Sequence, residues 1–216
     1  SAGLYARIEE ETGQVVEWKP VGSLRLASSK ERWSELKRMA TTARSFGFEL
    51  ETLSPAEARK LFPLITLDGV EGAVFVATDG YVDPSSLTQA YAKGARMGGV
   101  RIVERVRVTG FDLAGGRVTR VRTDQGEVAC EVVVNAAGIW ARDIGRLAGI
   151  ELPAGAVEHQ YVVTEKRADV PAGLPTLRDP DRIFYLKPEP GAFAIGGWED
   201  NTPTFDITGV TPGATV

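Results

Sequence analysis

The chain has 216 residues but only one cysteine, one histidine and two methionines. Cys130 alone cannot close an internal disulfide, so no covalent framework holds the fold, and a reducing compartment is compatible with it. A single His beside a single Cys cannot supply the Cys/His set of a zinc centre. No apolar run approaches the ~18 residues of a membrane span, and no charged stretch leads into an apolar one as in a signal peptide. The 25 Lys and Arg are interspersed with 29 Asp and Glu, for a net charge of −4, and no basic block speaks for nucleic acid. None of the 24 glycines is followed by another two residues later. The chain therefore lacks the Gly-x-Gly phosphate turn that opens a dinucleotide-binding fold, and Gly-Lys-Ser/Thr and Gly-x-Ser-x-Gly are also missing.

What is present is an ordinary globular composition, 43% hydrophobic and 25% charged. Leu4 to Glu11 reads as an amphipathic helix stopped by Gly13, followed by strand-like residues from Val15 to Leu26. Ser28 or Ser29 can cap a helix over Lys30 to Phe46, where Trp33, Leu36, Met39/Ala40 and Ala43 recur at helical spacing. A short strand is expected from Phe48 to Leu53, then a capping box at Ser54-Pro55-Ala56-Glu57, and another strand from Val70 to Ala77. Asp83 caps a helix from Pro84 to about Met97, whose small residues Ala90, Gly94 and Ala95 suit close packing on a sheet. Strands follow at 100–103, 105–113, 117–123 and 127–134. The last ends in Val132-Val133-Val134, the pattern of a strand buried on both faces. A helix from Ile139 to Leu147 precedes strands at 155–164, 182–187 and 193–197, and the Thr-, Pro- and Gly-rich 199–216 predicts a flexible tail. The fold class expected is α+β (mixed α/β). Doubly wound character over 84–150 is flanked by antiparallel sheet over 15–83 and 151–198, as two interleaved subdomains give.

Two places carry candidate chemistry. Asn135-Ala136-Ala137-Gly138 joins the valine run to the next helix; its small side chains either let backbone approach a ligand or only permit a tight turn. His159, in Val157-Glu158-His159-Gln160-Tyr161-Val162-Val163, is either a hydrogen-bonded strand residue or a proton-handling group. Tyr185 is the second polar aromatic on a late strand, where a half-buried ring with its hydroxyl in water is the plain reading.

The run Val132-Val133-Val134-Asn135-Ala136-Ala137-Gly138-Ile139-Trp140-Ala141 is accompanied by Asp79-Gly80-Tyr81-Val82-Asp83-Pro84 and Glu158-His159-Gln160-Tyr161-Val162-Val163-Thr164. Followed by Leu177-Arg178 and Tyr185, this set resembles the D-amino-acid-oxidase-like flavoprotein superfamily, most of all its dimethylglycine and sarcosine dehydrogenase/oxidase branch. The likeness runs over nearly all of residues 1–198. It implies an antiparallel-sheet substrate-binding subdomain, 15–83 and 151–198, interleaved with part of a doubly wound FAD-binding subdomain, 84–150. It further implies that Val108, Ala136, Ala137, Gly138 and Trp140 lie along the FAD, that His159 and Tyr185 face the substrate, and that the substrate's carboxylate has a cationic partner, for which Arg142, Arg178, Arg182 and Lys187 are equivalent candidates. The reaction implied is hydride transfer to FAD from an N-methyl carbon of dimethylglycine or sarcosine. The resulting imine loses formaldehyde or passes it to tetrahydrofolate through a further carboxyl-terminal region. Glycine, proline or glycerol 3-phosphate as substrate, and a non-redox small-molecule-binding domain, are the alternatives. With Gly-x-Gly-x-x-Gly absent and the chain opening at Ser1-Ala2-Gly3, the expectation is an internal fragment of a cytoplasmic enzyme. Such a fragment would neither hold FAD firmly nor turn over its small-molecule amine substrate. No metal, nucleic acid or membrane span is expected.

Overall fold

The computed structural model describes residues 2–205 and 207. Its elements run α1 (Ala2–Thr12), β1 (Ser23–Ala27), α2 (Lys30–Ser45), β2 (Glu51–Leu53), α3 (Pro55–Leu61), β3 (Gly72–Val76) and α4 (Pro84–Met97). They continue with β4 (Val108–Ala114), β5 (Arg117–Thr123), β6 (Gly126–Ala129), a 3-10 turn (Gly138–Trp140), α5 (Ala141–Leu147) and β7 (Ala156–Val157). The last are β8 (Tyr161–Val163), β9 (Thr176–Asp179), β10 (Phe184–Glu189), β11 (Ala192–Gly197) and β12 (Thr204–Phe205). The chain divides into two compact units, Ser1–Arg101 with His159–Asp200, and Ile102–Glu158 with Asn201–Val216. No described helix is long and apolar enough to cross a membrane.

Local signals set the helices of the first unit. The Ser29 hydroxyl accepts from the Arg32 N–H at 3.1 Å and starts α2. Ser54 and Glu57 form the reciprocal capping box of α3, and Asp83 Oδ1 accepts from the Ser86 N–H at 2.7 Å at the head of α4. The strands make one seven-stranded sheet, ordered β2-β3-β1-β9-β10-β11-β8, antiparallel throughout except for the parallel pair β1–β9. β1 and β9 flank the second unit in sequence, so the sheet is completed only after the chain returns from it.

Alternation along β1 sends Leu24 and Leu26 to a core with Leu53, Ala58, Phe62 and Leu177 on the α3 side. Ala27 goes to the opposite face, with Val74 and Leu36 of α2. Phe62 is 1% exposed and stacks on Phe193 at 5.8 Å; burying such a ring contributes about 1.5–3 kcal/mol. Asp179 is fully buried. Its carboxylate accepts from the Ser28 hydroxyl (2.6 Å) and from the N–H groups of Asp181 (3.1 Å) and Arg182 (3.2 Å), tying the end of β1 to the β9–β10 turn.

Several expected elements differ. α4 packs on α1 rather than on a sheet: Ala90 is buried with Ile8 and Val16, and a Cβ on Gly94 would stand 3.2 Å from Thr12 Cγ2. It thereby falls in the first unit, not at the start of a segment beginning at residue 84. Only Ser23–Ala27 of the expected 15–26 strand region is a strand, Lys19 making a lone bridge to Tyr81. β9 fills a stretch expected as Pro-rich loop.

In the second unit β4, β5 and β6 form an antiparallel meander with α5 against β4. The strand expected at 100–103 is irregular chain, and so are residues 132–134, where Val132 and Val134 are 74% and 85% exposed. A strand buried on both faces needs a paired strand on each side, and among the described residues none pairs with these valines. Within 199–216, Thr204–Phe205 pairs with β7, contrary to the expected tail, whereas residues 206 and 208–216 lie outside the described residues.

Candidate active site

In a sheet, directly paired residues present their side chains to the same face. The registers of five neighbouring pairs set one row across the first unit's sheet: Val74, Arg25, Arg178, Tyr185, Gly196 and Tyr161. Two guanidiniums thus stand side by side next to a phenol. Glycine at 196 is what gives the phenol its place, because a Cβ there would lie 2.4 Å from the Tyr185 Cζ and hydroxyl oxygen. The Tyr185 ring meets Trp198 at 5.2 Å, and the Arg178 guanidinium lies over the same indole at 4.7 Å. Ile183 just before β10 has φ +59, in the left-handed region that a β-branched residue rarely adopts. Its carbonyl accepts from the Trp198 N–H at 3.3 Å, so the constrained turn sets Trp198 beside Tyr185.

Val74, Arg25, Arg178, Tyr185 and Trp198 line a groove of about 510 Å³, a size ordinary for small molecules, with Met39 and Leu50 along its wall. Lys187 also lines it, 2.6 Å from Glu189 Oε1 and 5.4 Å over the Tyr81 ring. Arg25 is partly buried, and its Nε is shielded from solvent with no hydrogen-bond partner. Burial foremost, then neighbouring Arg178, pushes its pKa below the usual arginine value, against the opposing pull of Glu35.

The four carboxylate candidates separate at once. Arg178 and Lys187 line the groove. Arg182 does not: its Nη2 donates to the Asp68 carbonyl at 2.6 Å, and its Nε stands 3.8 Å from Asp179. Arg142 belongs to the second unit and stands 3.6 Å from Glu151. Arg25 was not among the sequence candidates, since an Arg between leucines on a strand carries no motif. Only the register of β1 against β9 reveals it.

His159 lies just outside β8, largely exposed, with Nδ1 3.7 Å from Glu199 Oε2. It belongs to the first unit, as Tyr185 does, yet it shares no hydrogen bond with Tyr185 and does not line the groove.

Three of the five cofactor candidates meet in the second unit. Val108, Ala137 and Trp140 line a groove of about 650 Å³ with Arg105 and Arg107; Ala136 and Gly138 are exposed beside it. The Trp140 Nε1 is buried without a hydrogen-bond partner, a donor an aromatic base or ribose could satisfy. Asn135, whose side chain the sequence left without a role, holds the approach: its Oδ1 accepts from the Ala137 N–H (3.2 Å) and its Nδ2 donates to the Ala141 carbonyl (2.8 Å). Gly138, at φ +57, makes the turn that follows. The residues present therefore fit part of a dinucleotide. The pyrophosphate turn has no counterpart in this chain.

Among known proteins, the chain is 37% identical over 199 residues to mitochondrial sarcosine dehydrogenase of Mus musculus, covering 90% of this chain and 22% of that protein. It is 40% identical over 202 residues to mitochondrial dimethylglycine dehydrogenase of Rattus norvegicus, covering 92% and 24%. The chain thus spans about a quarter of these relatives' length. In structure it is similar to L-proline dehydrogenase from P. horikoshii, with a TM-score of 0.80 and 29% identity over 91% of this chain and 52% of that one. The family pattern described as FAD dependent oxidoreductase (DAO) matches residues 1–214, and the chain belongs to that family.

Proposed function

We propose that the protein containing this chain oxidises an N-methylated glycine, dimethylglycine or sarcosine, using FAD. The observation that carries this reading is the first unit's groove, where Tyr185 and Trp198 form an aromatic wall beside Arg178 on one sheet face. Such a site suits a small amino acid with an apolar N-substituent, and the sarcosine and dimethylglycine dehydrogenases similar to this chain bear substrates of that kind in their names. FAD, when bound, accepts the hydride from the N-methyl carbon. Val108, Ala137 and Trp140 would hold part of it, with Ala136 and Gly138 along its path.

The chain's own residues supply positioning and proton handling. The amine must lose its proton for the lone pair to weaken the C–H bond, and His159 would accept that proton at the edge of the sheet. The Tyr185 hydroxyl would hold the substrate against the Trp198 wall. Formaldehyde from the imine would leave or pass to tetrahydrofolate through residues outside this chain. The lone Cys130 is compatible with a reducing compartment such as the cytoplasm.

Anaerobic mixing of the full-length flavoprotein with dimethylglycine, sarcosine, glycine, proline and glycerol 3-phosphate tests the reading by flavin bleaching. Reduction by the N-methylglycines is expected, and reduction by glycerol 3-phosphate alone would overturn it. His159→Ala should lower turnover by about 10²-fold or more. The 216-residue chain alone should show little saturable response to added FAD.

A further inference from the structure

We infer that the β5–β6 turn, Asp124-Gln125, is a clamp on the groove of the second unit, fixing the backbone edge that meets the adenine end of FAD. Asp124 and Gln125 are then positioning residues, which act on the ligand only through Arg105 and Arg107. The inference rests on the proposed placement of FAD along Val108 and Trp140, and names what holds that edge in shape.

Side chains of the turn take the place of backbone in joining the two segments. The Asp124 N–H donates to the Arg107 carbonyl at 3.0 Å, and Asp124 Oδ1 accepts from the Arg107 N–H at 2.9 Å. A regular antiparallel pair exchanges both bonds through its backbone; here a carboxylate oxygen stands in for the second carbonyl. Gln125 Nε2 donates to the Arg105 carbonyl at 2.9 Å and carries the contact further back along the chain. The turn is itself fixed, since the Thr123 hydroxyl accepts from the Gln125 N–H (3.1 Å) and donates to the Gly126 carbonyl (2.7 Å).

This phase decides where Val108 directs its backbone. With Arg107 and Asp124 bonded to each other, the next pair, Val108 and Thr123, is of the non-hydrogen-bonded kind. The Val108 N–H and C=O therefore face away from β5. β4 is the outer strand of its sheet, and no described strand pairs on its other side. Val108 lines the groove of about 650 Å³ with Val106, Ala137 and Trp140. A donor and an acceptor on one residue match the ring nitrogen and amino group that an adenine presents side by side.

Arg105 shows that this shape is imposed. Its φ of +58 lies in the left-handed region, where a residue other than glycine stays only if its surroundings hold it. The bond from Gln125 is one such hold. Asp124 and Gln125 are exposed, so water competes for their bonds, which govern the shape of the edge more than the stability of the unit.

The test uses the full-length protein prepared free of flavin and titrated calorimetrically with FAD and with FMN, which lacks the adenylate. The parent should bind FAD more tightly than FMN. Asp124→Ala should weaken FAD binding about tenfold and leave FMN binding unchanged. Asp124→Asn keeps an Oδ1 acceptor for the Arg107 N–H and should bind FAD as the parent does. Gln125→Ala should show the same selective loss at about threefold, and decides the matter if Asp124→Ala does not fold. A lowered melting temperature with the ratio of the two affinities unmoved overturns the clamp, and so do equal losses for FAD and FMN. A parent that binds FAD no more tightly than FMN overturns both the clamp and the placement of FAD in this groove. If the selective loss is found in a protein that oxidises no N-methylglycine, the clamp stands and the proposed substrate falls.

Discussion

The two units of this chain are built on opposite economies of burial. The first closes a mixed sheet between α2 and α3, with Leu24, Leu36, Phe62 and Leu177 each no more than 2% exposed. In the second, Phe111 is the one buried hydrophobic side chain among the described residues apart from glycine and alanine, while Val128, Val132, Val134 and Ile150 are all more than half exposed. Burial of apolar area is the main favourable term in folding, so the first unit carries its own stabilisation and the second carries little. The contrast extends to function: the groove with the arginine pair is walled by strands fixed in one sheet. The groove at Trp140 is lined mostly by residues outside strands.

The largest expected effect tests that contrast directly. Phe62→Ala should destabilise the first unit by about 3–5 kcal/mol in urea unfolding, whereas Val134→Ala should change stability by less than about 0.5 kcal/mol. Equal losses would break the comparison. Next, Gly196→Ala should cost about 1–3 kcal/mol, because a Cβ meets the Tyr185 ring. It should also disturb the site itself, seen as altered fluorescence of Trp198 against Tyr185. A stable variant with an undisturbed site would show that Tyr185 has other room.

A smaller loss than at Phe62 or Gly196 is expected at the capping box. Ser54→Ala should cost about 1 kcal/mol at neutral pH. Hydrogen bonds from the Ser54 hydroxyl and backbone N–H hold the Glu57 carboxyl below its usual pKa. A depressed folded pKa contributes stability above the ordinary carboxylate range and loses it as pH falls through the folded value. The Ser54→Ala penalty should therefore shrink below about pH 4, which paired urea titrations at pH 7 and pH 3 would show.

Much of the fold was legible residue by residue where the signal was local. Ser29, Ser54 and Asp83 cap the helices expected of them, and strand-like runs marked β3, β5, β10 and β11. The expectations that failed were those in which sequence stands in for a neighbour. Three consecutive valines at 132–134 describe a strand only if other strands flank it, and the small face of α4 cannot say whether helix or sheet lies opposite. The site divides along the same line. Tyr185 was visible because it sits in a patterned strand. Arg25 was not, because its partner Arg178 lies on the far side of the inserted unit.

The sequence by itself determined that the chain closes no internal disulfide and carries no Gly-x-Gly turn, and it determined the helix caps, the mixed α/β class and the family. These are properties of composition or of neighbours along the chain, and they hold whatever the rest of the molecule does. Only the tertiary structure decided that β1 and β9 lie parallel in one sheet, and with it that Arg25, Arg178 and Tyr185 share a row. Long-range register is fixed by which apolar residues on distant segments bury together. Leu24 opposite Leu177 set that register, and the arginines one residue on followed.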